Sequence, residues 1–152
     1  MKESTYREKI LYGLFLLTSR FNPLSYAGMK VHIRLRRIDF LEKKEEIIVD
    51  TDGLLNDGRL LYMEADGRTH QKITFHDDTV IIDRKGRYGS KIILPEHAAG
   101  QCYVYSPYGE MEMGASLCRK NKEDGRWQVE YEITSENQLM THVRLEWEFN
   151  AI

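Results

Sequence analysis

Arg84 is the charged group in this chain best placed to do chemistry, because it adjoins the turn Lys85-Gly86 and its planar guanidinium could clamp an anion at the mouth of a pocket. Its plainer role is a solvated turn arginine, or one paired with Asp83 or Glu110. Glu64 shares a strand face with Tyr62, and a carboxylate turned inward there requires a partner. Paired with Arg84, it would be either a structural salt bridge or a pair that reads a ligand. Tyr62, Tyr103, Tyr105 and Tyr108 add phenols of the kind that line small-molecule sites, where aromatic walls carry a few polar groups. Core and rim packing is their competing role.

Metal chemistry finds less support. His70 and His76 share a strand face near Asp77 and Asp78, but their separation corresponds to roughly 20 Å of extended chain, too far for one ion. No metal and no cofactor is therefore expected. His32 and His142 alternate with apolar residues and should face solvent, and His97 sits in a loop beside Pro95. Cys102 and Cys118 form no CxxC pair; each reads as a buried reduced thiol suited to a cytoplasmic protein, with a disulfide conceivable if neighbouring strands bring them together. Nucleophilic catalysis by either would need a base that the sequence does not reveal. GxSxG, Gly-rich phosphate-loop and HExxH motifs are all missing, which argues against an enzyme.

Composition narrows the remaining classes. The 152 residues suffice for one domain with a core that needs no disulfides, and 41% apolar with 30% charged residues is ordinary for a globular protein. A net charge of -2 gives no global attraction to nucleic acid or anionic membrane. The basic edge His32, Arg34, Arg36 and Arg37 lacks interleaved aromatics, so it reads as an outer surface pairing with Glu45, Glu46, Glu146 or Glu148 rather than as a nucleic-acid site.

The elements that must position these groups are strands. From Val31 to Phe149 apolar and polar residues alternate in short runs, punctuated by four Asp-Gly pairs at 52–53, 57–58, 66–67 and 124–125. Alternation places one set of side chains on each sheet face, and Asp-Gly supplies the positive φ of tight hairpins. Met111, Met113, Ala115 and Leu117 read as a core stripe. Near the C-terminus, opposing Tyr131 to Val143 brings Trp127 against Trp147 inside, Glu130 against Arg144 and Arg126 against Glu148 outside. A shift of two residues would oppose Glu130 to Glu146, which like-charge repulsion disfavours. Eight to ten such strands joined by short turns predict an all-β, antiparallel up-and-down barrel in preference to a sandwich.

Residues 1–28 lack the alternation. Thr5 and Glu8 have capping-box spacing, Tyr6, Ile10, Leu14, Leu17 and Phe21 form one stripe, and Asn22-Pro23 supplies a stop, so a helical extension is expected ahead of a 29–152 barrel domain. Such a helix either packs on the barrel or lies upstream of a true start at Met29. The apolar run Ile10 to Leu17 is too short to span a bilayer, and Glu3, Glu8 and Arg20 disfavour a secretory signal.

Two short motifs carry a resemblance: Arg84-Lys85-Gly86, and Tyr105-Ser106-Pro107-Tyr108-Gly109 followed by Glu110-Met111-Glu112-Met113. In these, and across about Met29 to Phe149, the chain resembles the YwiB-like family of small uncharacterised bacterial proteins, a domain-of-unknown-function family. It departs in carrying Ser106 where the family has Thr. The resemblance implies a lipocalin-like (calycin) β-barrel beginning near Met29-Lys30-Val31 and no particular activity. Two functional expectations follow. One is a non-enzymatic barrel holding a small ligand, anionic where Arg84 reads it, through Arg84, Glu64 and the tyrosines. The other is a protein-interaction or homodimer module whose interior is simply packed.

Overall fold

The computed structural model describes residues 28–152. Residues 1–27, where the helix is expected, lie outside them. Ten strands follow in order: β1 Met29–Asp39, β2 Lys44–Asn56, β3 Arg59–Met63, β4 His70–Phe75, β5 Thr79–Lys85, β6 Gly89–Pro95, β7 Gly100–Ser106, β8 Gly109–Glu123, β9 Arg126–Ser135 and β10 Gln138–Ala151. Each pairs antiparallel with its neighbour in sequence, and β1 also pairs with β10, so the sheet closes into an up-and-down barrel. Among the described residues no helix is long and apolar enough to cross a membrane.

The expected register of the last hairpin forms. Tyr131 opposes Val143, Trp127 opposes Trp147, and Glu130 meets Arg144 with Nη2 3.1 Å from Oε1. Arg126 opposes Glu148 along the backbone, but its guanidinium turns diagonally to Glu146, at 3.6 Å. Inside, Trp147 is 0% and Trp127 3% exposed, and Trp127 meets Phe149 edge-on at 5.1 Å and Phe75 at 5.3 Å. With Leu60, Ile73, Val80 and Leu94 also buried in this cluster, side chains fill the barrel's centre. A ligand held there would have to displace them.

Turn chemistry explains most connections. Asp57 and Gly58 take φ of 48° and 73° between β2 and β3, and Gly125 takes 78° between β8 and β9. The β9–β10 turn uses Glu136 and Asn137, at 52° and 64°, without any glycine. Asp52-Gly53 is no turn: it lies within β2, where Gly53 opposes Val31 on one side and Tyr62 on the other. The methionine stripe is only half core, since Met113 packs against the interior while Met111 is 59% exposed. Both cysteines are free thiols, but only Cys102 is buried as expected; Cys118 is exposed, at the point where the β8 register slips between Leu117 and Arg119. The basic edge of β1 is matched by β2: His32 contacts Asp50 and Asp52, Arg34 lies 3.7 Å from Asp50, and Arg36 lies 3.4 Å from Glu45.

The β3–β4 connection is built on Asp66. Its Oδ1 accepts from the Arg68 and Thr69 amides at 2.9 and 2.8 Å, and its Oδ2 from the Thr69 hydroxyl at 2.5 Å. These donors, the hydroxyl foremost, hold the carboxyl at about 2. Because this pKa falls on folding, the loop's contribution is complete above the ordinary carboxylate value of about 4 and is lost as pH drops toward the folded value. A carbon-detected titration of the Asp66 carboxyl should therefore show a midpoint near 2. An ordinary midpoint would contradict this turn geometry.

Candidate functional site

The Asp66 turn fixes Glu64, whose amide donates to the Thr69 carbonyl at 2.8 Å. The β5–β6 turn docks against the same loop. A Cβ at Gly86 would stand 2.8 Å from Thr69 Oγ1, and one at Gly89 2.7 Å from the Arg84 carbonyl oxygen, so the glycines of this turn allow its close approach. Arg84 is thereby placed beside Glu64, which it grips with two bonds: Nε to Oε2 at 2.7 Å and Nη2 to Oε1 at 3.0 Å. The pair anchors a chain of hydrogen bonds that runs inward. Gln71 Nε2 donates to Glu64 Oε2 at 3.1 Å, Tyr62 OH donates to Gln71 Oε1 at 2.9 Å, and Trp147 Nε1 donates to Tyr62 OH at 3.0 Å.

Every polar group of that chain has a partner, as a low-dielectric interior demands. Arg84 is held above its ordinary pKa, chiefly by the bond to Glu64. Burial keeps the Tyr62 phenol protonated. The arginine side chain is 40% exposed and the glutamate 23%, so the pair sits at the barrel rim while Tyr62 is fully buried. The other tyrosines separate. Tyr105 lines the surface depression beside Arg84; Tyr103 points along the outer face and donates to Gln101 at 2.7 Å; Tyr108 stands 88% exposed in the β7–β8 turn. In that turn Ser106 Oγ accepts from the Tyr108 amide at 3.1 Å, a bond that either hydroxyl residue can make.

The depression has a volume of about 580 Å³ and is lined by Lys72, Asp83, Arg84, Lys85, Ser90, Lys91 and Tyr105, with the two turn glycines. Lys72 opposes Asp83, and Asp83 opposes Lys91, across β4, β5 and β6. Three ammonium groups therefore surround one carboxylate. Lys72 is pushed below the ordinary lysine value by burial first; Asp83 opposes that shift, while Lys85, Arg59 and Lys91 add to it. Arg84 and Glu64 were readable as a pair from the sequence; Gln71, Lys72 and Lys91 were not, because only the cross-strand register reveals them as neighbours.

The histidines singled out for metal stay apart. His70 opposes Met63 and Lys85 near the rim, with its Nδ1 buried and lacking a hydrogen bond among the described residues. His76 lies just past β4, at the other end of that strand, in the β4–β5 connection.

The sequence of residues 31–146 matches the model of a family described as a domain of unknown function, DUF1934. The chain belongs to the DUF1934 family. The barrel is also similar to the crystal structure of ywiB protein from Bacillus subtilis, with a TM-score of 0.59 at 13% identity, over 86% of this chain and 100% of that one. At that identity the likeness speaks for the fold. None of the curated proteins matches the chain in sequence. The DUF1934 match includes Arg84, Glu64, Gln71, Tyr62 and the three lysines of the depression.

Proposed function

We propose that this DUF1934 barrel is a non-enzymatic binding protein whose ligand is a small anion seated in the depression formed by Lys72, Lys85 and Lys91. The observation that carries the reading is the imbalance of charge there: three ammonium groups face Asp83 alone, and one of them is partly desolvated. An anion would relieve their mutual repulsion, with Ser90 and Tyr105 offering hydroxyls. Arg84 forms a fixed rim, its guanidinium already committed to Glu64. The packed centre supports placing the ligand on the wall instead of in the lumen. The closed up-and-down barrel and the free thiols support a calycin-like, cytoplasmic carrier or sensor.

Thermal and denaturant unfolding in the presence of inorganic phosphate or citrate provides the test. An anion at 100 times its Kd should stabilise the fold by about 2.7 kcal/mol. The double substitution Lys85→Gln and Lys91→Gln should remove that gain while leaving the unliganded barrel folded, and added salt should weaken it. No gain with either anion, or an equal gain in the double variant, would defeat the proposal. Arg84→Ala is a poorer probe, since it strips Glu64 of its partner.

A second reading draws on apolar side chains left exposed around the β1–β2 and β9–β10 hairpins: Leu41 at 48%, Ile47 at 45%, Ile48 at 44%, Leu139 at 44% and Met140 at 55%. These suit a protein partner or a homodimer. A concentration-dependent mass in sedimentation, abolished by Leu41→Lys with Met140→Lys, would favour it.

A further inference from the structure

The outer wall formed by β8, β9 and β10 brings together Cys118, Glu132 and His142, with potential ligand atoms all within 4.8 Å of one another. Each strand contributes one residue, so no spacing along the chain announces the cluster. Two irregularities aim it. The β8 register slips between Leu117 and Arg119, which puts Cys118 in a bulge, and the β10 register slips between Leu139 and Thr141, immediately before His142. Bulges re-aim side chains in this way and recur beside functional sites. His142 then lies directly opposite Glu132.

An independent feature concerns how the imidazole is held. His142 Nε2 lies 2.9 Å from Glu130 Oε2, and Glu130 is itself bonded by Arg144 Nη2 at 3.1 Å. A neutral imidazole donating from Nε2 carries its lone pair on Nδ1. Nδ1 is the atom that faces Glu132, 3.9 Å from Oε1, too distant for a hydrogen bond. The Phe40 ring packs against the imidazole, centroids 4.6 Å apart, and limits its tilt. A carboxylate behind a histidine, fixing its tautomer and turning the other nitrogen toward two further ligand groups, is the arrangement that metal sites use.

We propose that Cys118, Glu132 and His142 form a binding site for a borderline-soft divalent transition metal, zinc foremost, with Glu130 as the positioning residue and a fourth coordination position left to water. Thiolate, imidazole and carboxylate are all zinc ligands, with bonds of about 2.3, 2.0 and 2.1 Å. A tetrahedral ion with such bonds holds its ligand atoms roughly 3.5 Å apart, so the cluster must contract by about 1 Å at its widest. Cys118 is exposed and can rotate to do so. On binding, the S–H bond breaks, its proton leaves to solvent and the sulfur lone pair forms the metal bond. Burial, then Glu132 and Glu130, push the free thiol above its ordinary pKa, so the metal-free site holds that proton at neutral pH. A cation bonded to the sulfur reverses this bias, because its positive charge favours the thiolate.

The experiment uses the full chain, stripped with a chelator and titrated with Co²⁺ as an optical substitute for Zn²⁺. A single equivalent should produce the intense near-ultraviolet thiolate-to-cobalt band. Cys118→Ser should abolish that band, and Cys102→Ser should leave it intact. Glu130→Gln, which removes the group behind His142 without removing a ligand, should weaken Zn²⁺ binding about 10- to 100-fold in competition with a chelating dye. Circular dichroism of each variant checks that the barrel persists. Binding without the thiolate band, a band that survives Cys118→Ser, or affinity unchanged in Glu130→Gln would overturn the assignment.

Discussion

Trp147→Ala is expected to cost about 3–5 kcal/mol of stability, the largest loss for any single side chain in the barrel. The indole is 0% exposed and sits on β10 opposite Trp127, within the hydrophobic core, so its removal opens a cavity between strands that cannot slide together without breaking the closed ladder. It also removes the Nε1 donor to the Tyr62 hydroxyl, the inner end of the chain that starts at Arg84. Denaturant unfolding should show a large fall in midpoint with little change in slope. Trp147→Phe helps separate the two causes: it keeps most of the volume, leaving a much smaller cavity, and loses the hydrogen bond, worth about 1 kcal/mol. A loss for Trp147→Ala no larger than that would mean that the core tolerates the cavity and is not close-packed around the indole.

Gly53→Ala is the second severe substitution, although it adds a single methyl group. A Cβ at Gly53 would stand 2.3 Å from the Leu61 carbonyl oxygen, 2.5 Å from Ile33 Cδ1 and 3.1 Å from Tyr62 Cβ. Ile33 can rotate, but the Leu61 carbonyl belongs to the β2–β3 ladder and has no such freedom. Overpacking of this kind costs typically about 1–3 kcal/mol, and the backbone contact places Gly53 at the upper end or beyond. Gly67→Ala offers the comparison: no atom lies within 4 Å of its Cβ position, so its cost is the left-handed backbone alone, about 1–2 kcal/mol. Equal losses at the two sites would show that β2 bends to accommodate the methyl.

The contrast at Gly53 shows what was legible. Asp-Gly was a sound turn signal at 57–58, where φ is positive at both residues, and misleading at 52–53, where the glycine makes room for the Leu61 carbonyl and the Ile33 side chain. The two uses have the same sequence and differ only in what approaches from another strand. The β9–β10 register was legible because Glu130 and Arg144 oppose each other within one hairpin, so local charge patterning sufficed. The Arg84–Glu64 pair was legible as chemistry, since an inward carboxylate demands a cation. Gln71, which joins that pair to Tyr62, carries no charge or pattern that would mark it. The Cys118, Glu132 and His142 cluster was hidden more deeply, because bulges in two strands shift the alternation on which face assignments depend.

Closure also has a consequence in time. Nine of the ten strand pairings join neighbours in sequence, while the tenth joins β1 to β10, Val31 to Ala151 at its outer end. As the chain is synthesised, β1 emerges first of these ten strands and β10 last. The meander can assemble hairpin by hairpin, but one edge of β1 must wait for β10 before its backbone groups are paired. Through that interval it is an open sheet edge, the kind of surface on which unfinished chains associate. His32, Arg34 and Arg36 line the outer face of that strand, so the charges that pair with β2 in the finished barrel also make the waiting edge a poor template for another chain.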